Sequence, residues 1–419
     1  MKVLIIDTSG KEGVALGGAA RVAGNLFYEL RKRGIKTYYM GYRNELIHED
    51  STTFIIGGGG VQAKARSLAK AGALRSLAET RAARIAYYSM HSITGVALGG
   101  ASHWIEELRP DIVVASSVQD YVTLKRLRPH LHGAKLVYIE HANASGSYAS
   151  ALDYNILGLT FGTGPYAGLE AARRRFFTFF DAVVALNREQ HRSVAKYNRD
   201  VVVIHSSMLM DPRRPTARQL AAARKCAGVS QKDGVVLYFG RLLEAQKNIS
   251  SLILAFKQIK SERLKLLIVG NGRSYQLYKD MSAGDSRIKV ISGRISDREA
   301  ASYYCMADLF ILPSLWESFN ATSIEAAYFG DALLLSTKSI NEDITERFGG
   351  ALYTFEPDNV SGLRRKIERY FADKALQRRL ASLSREIAQE YSRKRQMDAY
   401  ASALNALYMT GRMSGAATL

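Results

Sequence analysis

Ten short, nearly continuous runs of Val, Ile and Leu punctuate this 419-residue chain, with longer stretches of helical apolar spacing between them. A strand that is apolar on both faces must be covered on both faces, so the alternation calls for parallel sheets wrapped by helices. The first five runs are KVLIID (2–7), DIVVAS (111–116), KLVYIE (135–140), DAVVAL (181–186) and DVVVIH (200–205). The segment SSMLMDPRRPT (206–216) then carries two of the seven prolines and no periodicity, which marks an interdomain link. Beyond it the pattern restarts with VVLYFG (235–240), KLLIVG (265–270), IKVIS (288–292), DLFILP (308–313) and ALLLST (332–337). The expected fold class is α/β, with two doubly wound Rossmann-like domains facing each other across a cleft. Residues 1–206 form the first domain, 207–390 the second, and a helical tail, 391–419, is expected to return to the first.

The formal net charge of +19 suits nucleic acid, an anionic membrane or a phosphorylated ligand equally well. The basic excess is spread over both halves, without a basic tail or a nucleic-acid module, which argues against nucleic acid as the partner. The richest stretch, 51–100, has six basic residues against one acidic, most of them between Lys64 and Arg84 among apolar residues. Such a helix can lie on an anionic bilayer or present a solvated face from a packed helix. The cluster Arg173-Arg174-Arg175-Phe176-Phe177, with Phe179 and Phe180, offers the same two readings. Two distant cysteines, Cys226 and Cys305, give neither a disulfide framework nor a zinc site and point to a reducing cytoplasm. No stretch reaches the roughly 18 apolar residues of a membrane span, so the expected location is the cytoplasm, with peripheral attachment to the inner face of its membrane as the variant.

Three constellations carry chemistry. Gly17 and Gly18 precede a helix, where glycines admit a close ligand and helix N–H groups attract phosphate; the same pair is equally a plain turn. Gly240-Arg241-Leu242, followed by Lys247-Asn248, places two cations after a strand, at the edge where parallel sheets bind ligands, and a diphosphate needs such a pair. Glu317 falls in the loop after DLFILP, and Thr322, Ser323 and Glu325 fall at the start of the next helix. Carboxylates there accept hydrogen bonds from sugar or ribose hydroxyls, and the free N–H groups from Phe319 to Thr322 can hold phosphate. The plainer alternative is that Glu325 caps its helix and Glu317 is solvated.

Together GGAARVAGNLFYELRKRG, GRLLEAQKN, the Glu-x7-Glu element and EAAYFGDALLLST resemble the large family 4 of GT-B glycosyltransferases, whose members are retaining and metal-independent. Matches in IEHAN (139–143) and DAVVALNREQH extend the resemblance over nearly the whole chain. The resemblance implies a nucleotide-sugar donor, no cofactor and no metal. It assigns Arg241 and Lys247 to the donor diphosphate, Glu325 to the ribose and Glu317 to the transferred sugar. It further assigns the amides of Phe319, Asn320 and Ala321 and of Gly18 to phosphate or sugar, the segment Arg294-Ile295-Ser296 to the base, and His141 to the sugar pocket. Gly17, Ser318 and Thr322 complete the donor set. Ser318, Asn320 and Ala332 depart from the family pattern, which bears on the identity of the sugar; Ser and Asn can still hydrogen-bond it. The acceptor is expected to be a glycan or a lipid-linked molecule. A nucleotide-sugar 2-epimerase, which needs acid and base groups to part and rejoin one donor, and a non-catalytic nucleic-acid binder are the alternatives.

Overall fold

The computed structural model describes residues 1–8, 18–41, 47, 50–55, 98–141, 167–293 and 295–413. The chain divides into two compact units, Met1–Ile204 with Met397–Leu419, and His205–Gln396. Gly17, Arg294 and the basic segment from Lys64 to Arg84 lie outside the described residues.

The described strands of unit 1 are β1 (Lys2–Asp7), β2 (Lys36–Gly41), β3 (Thr53–Ile55), β4 (Ile112–Ala115), β5 (Lys135–Ile139), β6 (Ala182–Ala185) and β7 (Val201–Val203). They run in the order β3-β2-β1-β4-β5-β6-β7 and every pair is parallel. The strand order reverses between β1 and β4, where Val3 lies opposite Ile112. Burial of β4 and β6 at every position accounts for their unbroken apolar sequences. Phe176, Phe177 and Phe180 are buried against Tyr121 and Tyr138, so the aromatic half of the Arg173–Phe180 cluster is core, while Arg174 and Arg175 are exposed. From Met397 the last helix, Arg393–Thr410, packs within unit 1: Asp398 pairs with Arg33 at 2.8 Å, and the Met413 N–H donates to Asp200 at 2.7 Å.

Unit 2 repeats the plan with β8 (Gly234–Phe239), β9 (Leu264–Val269), β10 (Ile288–Ile291), β11 (Leu309–Leu312), β12 (Ala332–Ser336) and β13 (Thr354–Phe355). The order is β10-β9-β8-β11-β12-β13, again parallel at every pair, with the reversal between β8 and β11. The amphipathic helices Val360–Ala372 and Lys374–Glu390 bury Leu363, Ile367, Leu376, Leu380, Leu383 and Ile387 against this sheet and its helices. No described helix is long and apolar enough to cross a membrane.

At the carboxyl edge of this second sheet the loops after β8 and β9 touch backbone to backbone. The Leu242 N–H donates to Asn271 O at 2.8 Å and the Ser274 N–H to Leu242 O at 3.0 Å. A Cβ on Gly270 would stand 1.7 Å from Gly240 O, and one on Gly272 would stand 2.1 Å from Leu242 O. Neither position has room for a side chain, and Gly270 also adopts φ 155°. Gly272 carries no positive φ, so its requirement is purely steric. Gly272→Ala is expected to destabilise unit 2 by about 1–3 kcal/mol, as forced overpacking does, measured by urea unfolding. Wild-type stability in that variant would mean the two loops part without penalty.

Candidate functional site

The reversal between β8 and β11 leaves a crevice flanked by the loops that follow the two strands, the usual ligand position in open parallel sheets. The loop after β8 turns at Gly240, which has φ 154°, and forms a one-turn helix, Glu244–Lys247. Asn248 ends that turn in the left-handed region, φ 49°, and starts the helix Ile249–Lys257. Lys247 therefore sits at the carboxyl end of a short helix, where a cation is favoured.

Lys247 is buried, and its Nζ meets Glu317 Oε1 at 2.5 Å across the reversal point. Ser314 Oγ donates to the same carboxylate oxygen at 2.6 Å. Both side chains of the ion pair are about one-tenth exposed. Among the described residues Glu317 Oε2 accepts no hydrogen bond, so one carboxylate oxygen is uncommitted. Glu317 is thus not a solvated loop residue. Its charge is held by a lysine and a serine from two different loops.

Arg241 is exposed, and among the described residues its guanidinium has a single partner, Gln246 Oε1 at 3.2 Å. Gln246 also donates from Nε2 to the Trp316 carbonyl at 3.2 Å, while its own carbonyl accepts the Leu315 N–H at 2.8 Å. This buried glutamine joins the cationic loop to the glutamate loop. The Arg241 carbonyl accepts the Tyr238 hydroxyl at 2.7 Å, which fixes the backbone beneath the guanidinium. Exposure, few partners and a fixed backbone suit Arg241 to an incoming anion.

Glu325 is buried in the helix Ala321–Phe329 and does not cap it. Its Oε2 accepts the Tyr304 hydroxyl at 2.9 Å and its Oε1 the Leu209 N–H at 3.3 Å. The turn between the two glutamates is tightly braced. Asn320 is buried, its side chain donates to Ser339 O at 2.9 Å and accepts from Ser323 Oγ at 2.5 Å, and its carbonyl accepts the Ser323 N–H at 3.0 Å, so both its side chain and its carbonyl hold the turn. Ser318, Phe319, Ala321 and Thr322 are half-buried around it. Ile295 is half-buried against the unit 2 core, and Ser296 caps the helix Asp297–Met306 through a reciprocal pair with Glu299.

In unit 1 Gly18 is exposed at the start of the helix Gly18–Lys32. His141 follows β5, its N–H bonded to Ile139 O at 3.1 Å. Among the described residues the His141 Nε2 is buried without a hydrogen-bond partner, and burial pulls the imidazole down to about 4. The ring is neutral at pH 7, with its second nitrogen unspent. At this sheet's own reversal point Asp120 accepts from the Thr8 N–H and hydroxyl and from the Ser116 and Ser117 N–H groups, tying the ends of β1 and β4 together. Burial, with Asp7 alongside, pushes Asp120 up to about 7 despite these donors. No group of three His, Cys, Asp or Glu able to hold a metal occurs among the described residues.

Gln246, Ser314 and Tyr304 are the site residues that sequence reasoning missed. Gln246 and Tyr304 act through partners 70 and 21 residues away, which spacing does not reveal, and Ser314, three positions before Glu317 in the same loop, carries no chemical signature that sets it apart.

Residues 222–387 match the family model described as glycosyl transferases group 1. Among curated proteins, the lipopolysaccharide 1,2-N-acetylglucosaminetransferase of Salmonella typhimurium is 30% identical over 164 residues, 36% of this chain and 42% of that protein. The chain spans less than half the length of the curated relatives it matches. Among solved structures, the sucrose-phosphate synthase of Thermosynechococcus elongatus superposes with a TM-score of 0.69 at 16% identity, over 97% of this chain and 99% of that one. Anabaena HepE, solved in complex with UDP-glucose, superposes with a TM-score of 0.67 at 16% identity, over 97% and 100%. These likenesses show the GT-B fold over 97% of the chain, and the family match lies within unit 2.

The Lys247–Glu317 pair makes Lys247 a structural residue as well as a candidate site residue. Lys247→Ala strands a buried carboxylate and is expected to destabilise unit 2 by about 3–5 kcal/mol. Lys247→Met combined with Glu317→Gln is expected to recover most of that in thermal unfolding. A single variant as stable as the double would show that the pair is not desolvated. For His141, the folded-state value lies below the unfolded value of about 6.5, so its neutral state contributes stability present near pH 7 and lost as pH falls through 6.5 toward 4. An NMR titration is expected to place its midpoint below 5; a midpoint near 6.5 would mean the ring is solvated.

Proposed function

We propose that the chain is a retaining, metal-independent glycosyltransferase that moves a sugar from a nucleotide-diphosphate sugar to a glycan or lipid-linked acceptor. The observation that carries the reading is the pairing, at the reversal point of a parallel sheet, of a sparsely partnered arginine with a lysine–glutamate pair that keeps one carboxylate oxygen open. The family match over residues 222–387 and the UDP-glucose bound to HepE support it.

In this scheme Arg241 and Lys247 neutralise the donor diphosphate, and Glu325 takes the ribose hydroxyls beside Tyr304. Glu317 Oε2 accepts a hydroxyl of the transferred sugar, while Lys247 and Ser314 hold Oε1 and with it the orientation of the carboxylate. Negative charge grows on the leaving diphosphate as the bond from sugar C1 to oxygen breaks. Cations and amides already fixed around that position stabilise the transition state without reorganising, and one such donor is worth about 2.7–4 kcal/mol. The amides of Phe319, Asn320 and Thr322 extend the same field, the Ala321 N–H being bonded to Phe319 O; Arg294, Ile295 and Ser296 hold the base, and the Gly17 and Gly18 amides are assigned to phosphate or sugar. Neutral His141 donates to or accepts from a sugar hydroxyl without adding charge. Peripheral attachment to an anionic inner membrane face, through Lys64 to Arg84 with Arg174 and Arg175, would bring a lipid-linked acceptor to the enzyme.

A thermal-shift panel of UDP-, GDP-, ADP- and dTDP-sugars tests the reading, because a ligand at 100 times its dissociation constant adds about 2.7 kcal/mol of stability. One nucleotide sugar is expected to stabilise the wild type, with the shift lost in Arg241→Ala and reduced in Glu325→Gln. No response to any of them would overturn the donor assignment, and conversion of a donor to its epimer without acceptor would replace transfer by epimerisation.

A further inference from the structure

The chain enters unit 2 at His205. One residue earlier the Ile204 N–H still bonds to Ala185 O at the end of β6 in unit 1, at 2.9 Å. The His205 imidazole lies over the Phe319 ring, with centroids 6.0 Å apart and planes 28° from parallel. Tyr391 stands edge-on to both rings, at 5.5 Å from His205 and 5.4 Å from Phe319, closing a three-ring cluster. The His205 Nε2 lies 3.5 Å from Asp343 Oδ1, at ion-pair distance but without hydrogen-bond geometry, and the Asp343 side chain is 4% exposed.

We propose that His205 is a positioning residue for the turn Phe319–Thr322, acting through the stacked Phe319 ring. The proposal rests on the nucleotide-sugar reading of that turn. Two consecutive residues of the turn are gripped from different sides, Phe319 by the ring cluster and Asn320 by Ser339 O. Four residues beyond His205, the Leu209 N–H reaches Glu325 Oε1. The short segment 205–209 therefore touches the Glu-x7-Glu element near both its ends. Amides that must aim at a phosphate lose much of their effect when displaced by about 1 Å, because the gain from proximity depends on orientation. Phe319 is half-buried against the unit 2 core, and the His205 and Tyr391 rings are its aromatic contacts among the described residues. His205 is not a catalytic residue in this account: it acts on the turn through the Phe319 ring, and its Nε2 is buried 3.5 Å from Asp343 Oδ1.

The test uses hydrogen exchange and the two tryptophans of the chain, Trp104 and Trp316. Trp104→Phe leaves Trp316, three residues from Phe319, as the only indole reporter. In ligand-free full-length protein, His205→Ala is expected to raise amide exchange in the segment 316–323 at least tenfold, with the helix Ile249–Lys257 unchanged. His205→Phe, which keeps a ring against Phe319, is expected to restore protection. In the Trp104→Phe background the dissociation constants of UDP, GDP and ADP are then read from Trp316 emission. His205→Ala is expected to weaken the diphosphate that the parent binds at least tenfold and His205→Phe less than threefold, with KM for the donor rising more than kcat falls. Unchanged exchange in His205→Ala overturns the proposal whether or not a nucleotide binds, and so does raised exchange with unchanged affinity. Raised exchange in a parent that binds none of the three diphosphates removes the nucleotide reading of the turn, and with it this role for His205, while leaving the bracing as a fact of the fold. If His205→Ala does not fold, Phe319→Leu removes the same stack from its other partner and is judged by the same readings.

Discussion

Strands buried on both faces are the constraint from which the rest follows. A parallel sheet of Val, Ile and Leu under helices has no face left for polar chemistry, so functional side chains collect where strands end. In unit 2 the strand order reverses between β8 and β11, and the loops leaving those two strands diverge there. The space between them is filled by a charge pair in place of apolar packing. A desolvated ion pair is weak evidence for stability, since an apolar pair of the same volume is often as good. Its persistence at this location is better understood as a polarised surface kept ready, with Ser314 and the carboxyl end of a helical turn lessening the penalty of burial.

That surface is built in layers. Gln246 lies beneath Arg241 and reaches the carbonyl of Trp316, next to Glu317, so the cationic loop and the acidic loop hold each other in place. Tyr304, from the helix preceding β11, fixes Glu325, and Asn320 pins the intervening turn to the loop after β12. Arg241, Glu317 and Glu325 each have a neutral partner, Gln246, Ser314 and Tyr304, and Lys247 is held by Glu317 itself. Preorganisation of this kind is what lets electrostatics act without rearrangement when charge develops.

The strands that were legible in the sequence are the ones with unbroken apolar runs, such as IVVA in β4 and AVVA in β6. The sequence did not reveal β2, KTYYMG, whose Lys36 and Thr37 break the run, nor the edge strands β3 and β13, which have three and two residues. The site was legible in its charges. Arg241, Lys247, Glu317 and Glu325 stand out because cations and carboxylates at strand ends have few structural uses, and a neutral glutamine or a tyrosine elsewhere in the chain has many. Asn320 reads in sequence as a polar group for sugar, yet its side chain is engaged inside the protein. The ring stack of His205 on Phe319 joins residues more than a hundred positions apart, and no local pattern announces it.

The glycine contacts between the loops after β8 and β9 bear on how such a site can change over evolutionary time. Where Gly270 meets Gly240, and Gly272 meets Leu242, the two loops meet main chain to main chain, and the Ser274 hydroxyl adds one bond from the Glu244 N–H. The frame that presents Arg241 therefore rests largely on main chain, with the Tyr238 hydroxyl and Gln246 as its side-chain supports. Variation is channelled away from the frame and into the residues it displays, above all the turn 318–322. A scaffold of this construction can exchange one ligand for another by substitutions in that turn while the geometry of its cationic edge is inherited unaltered.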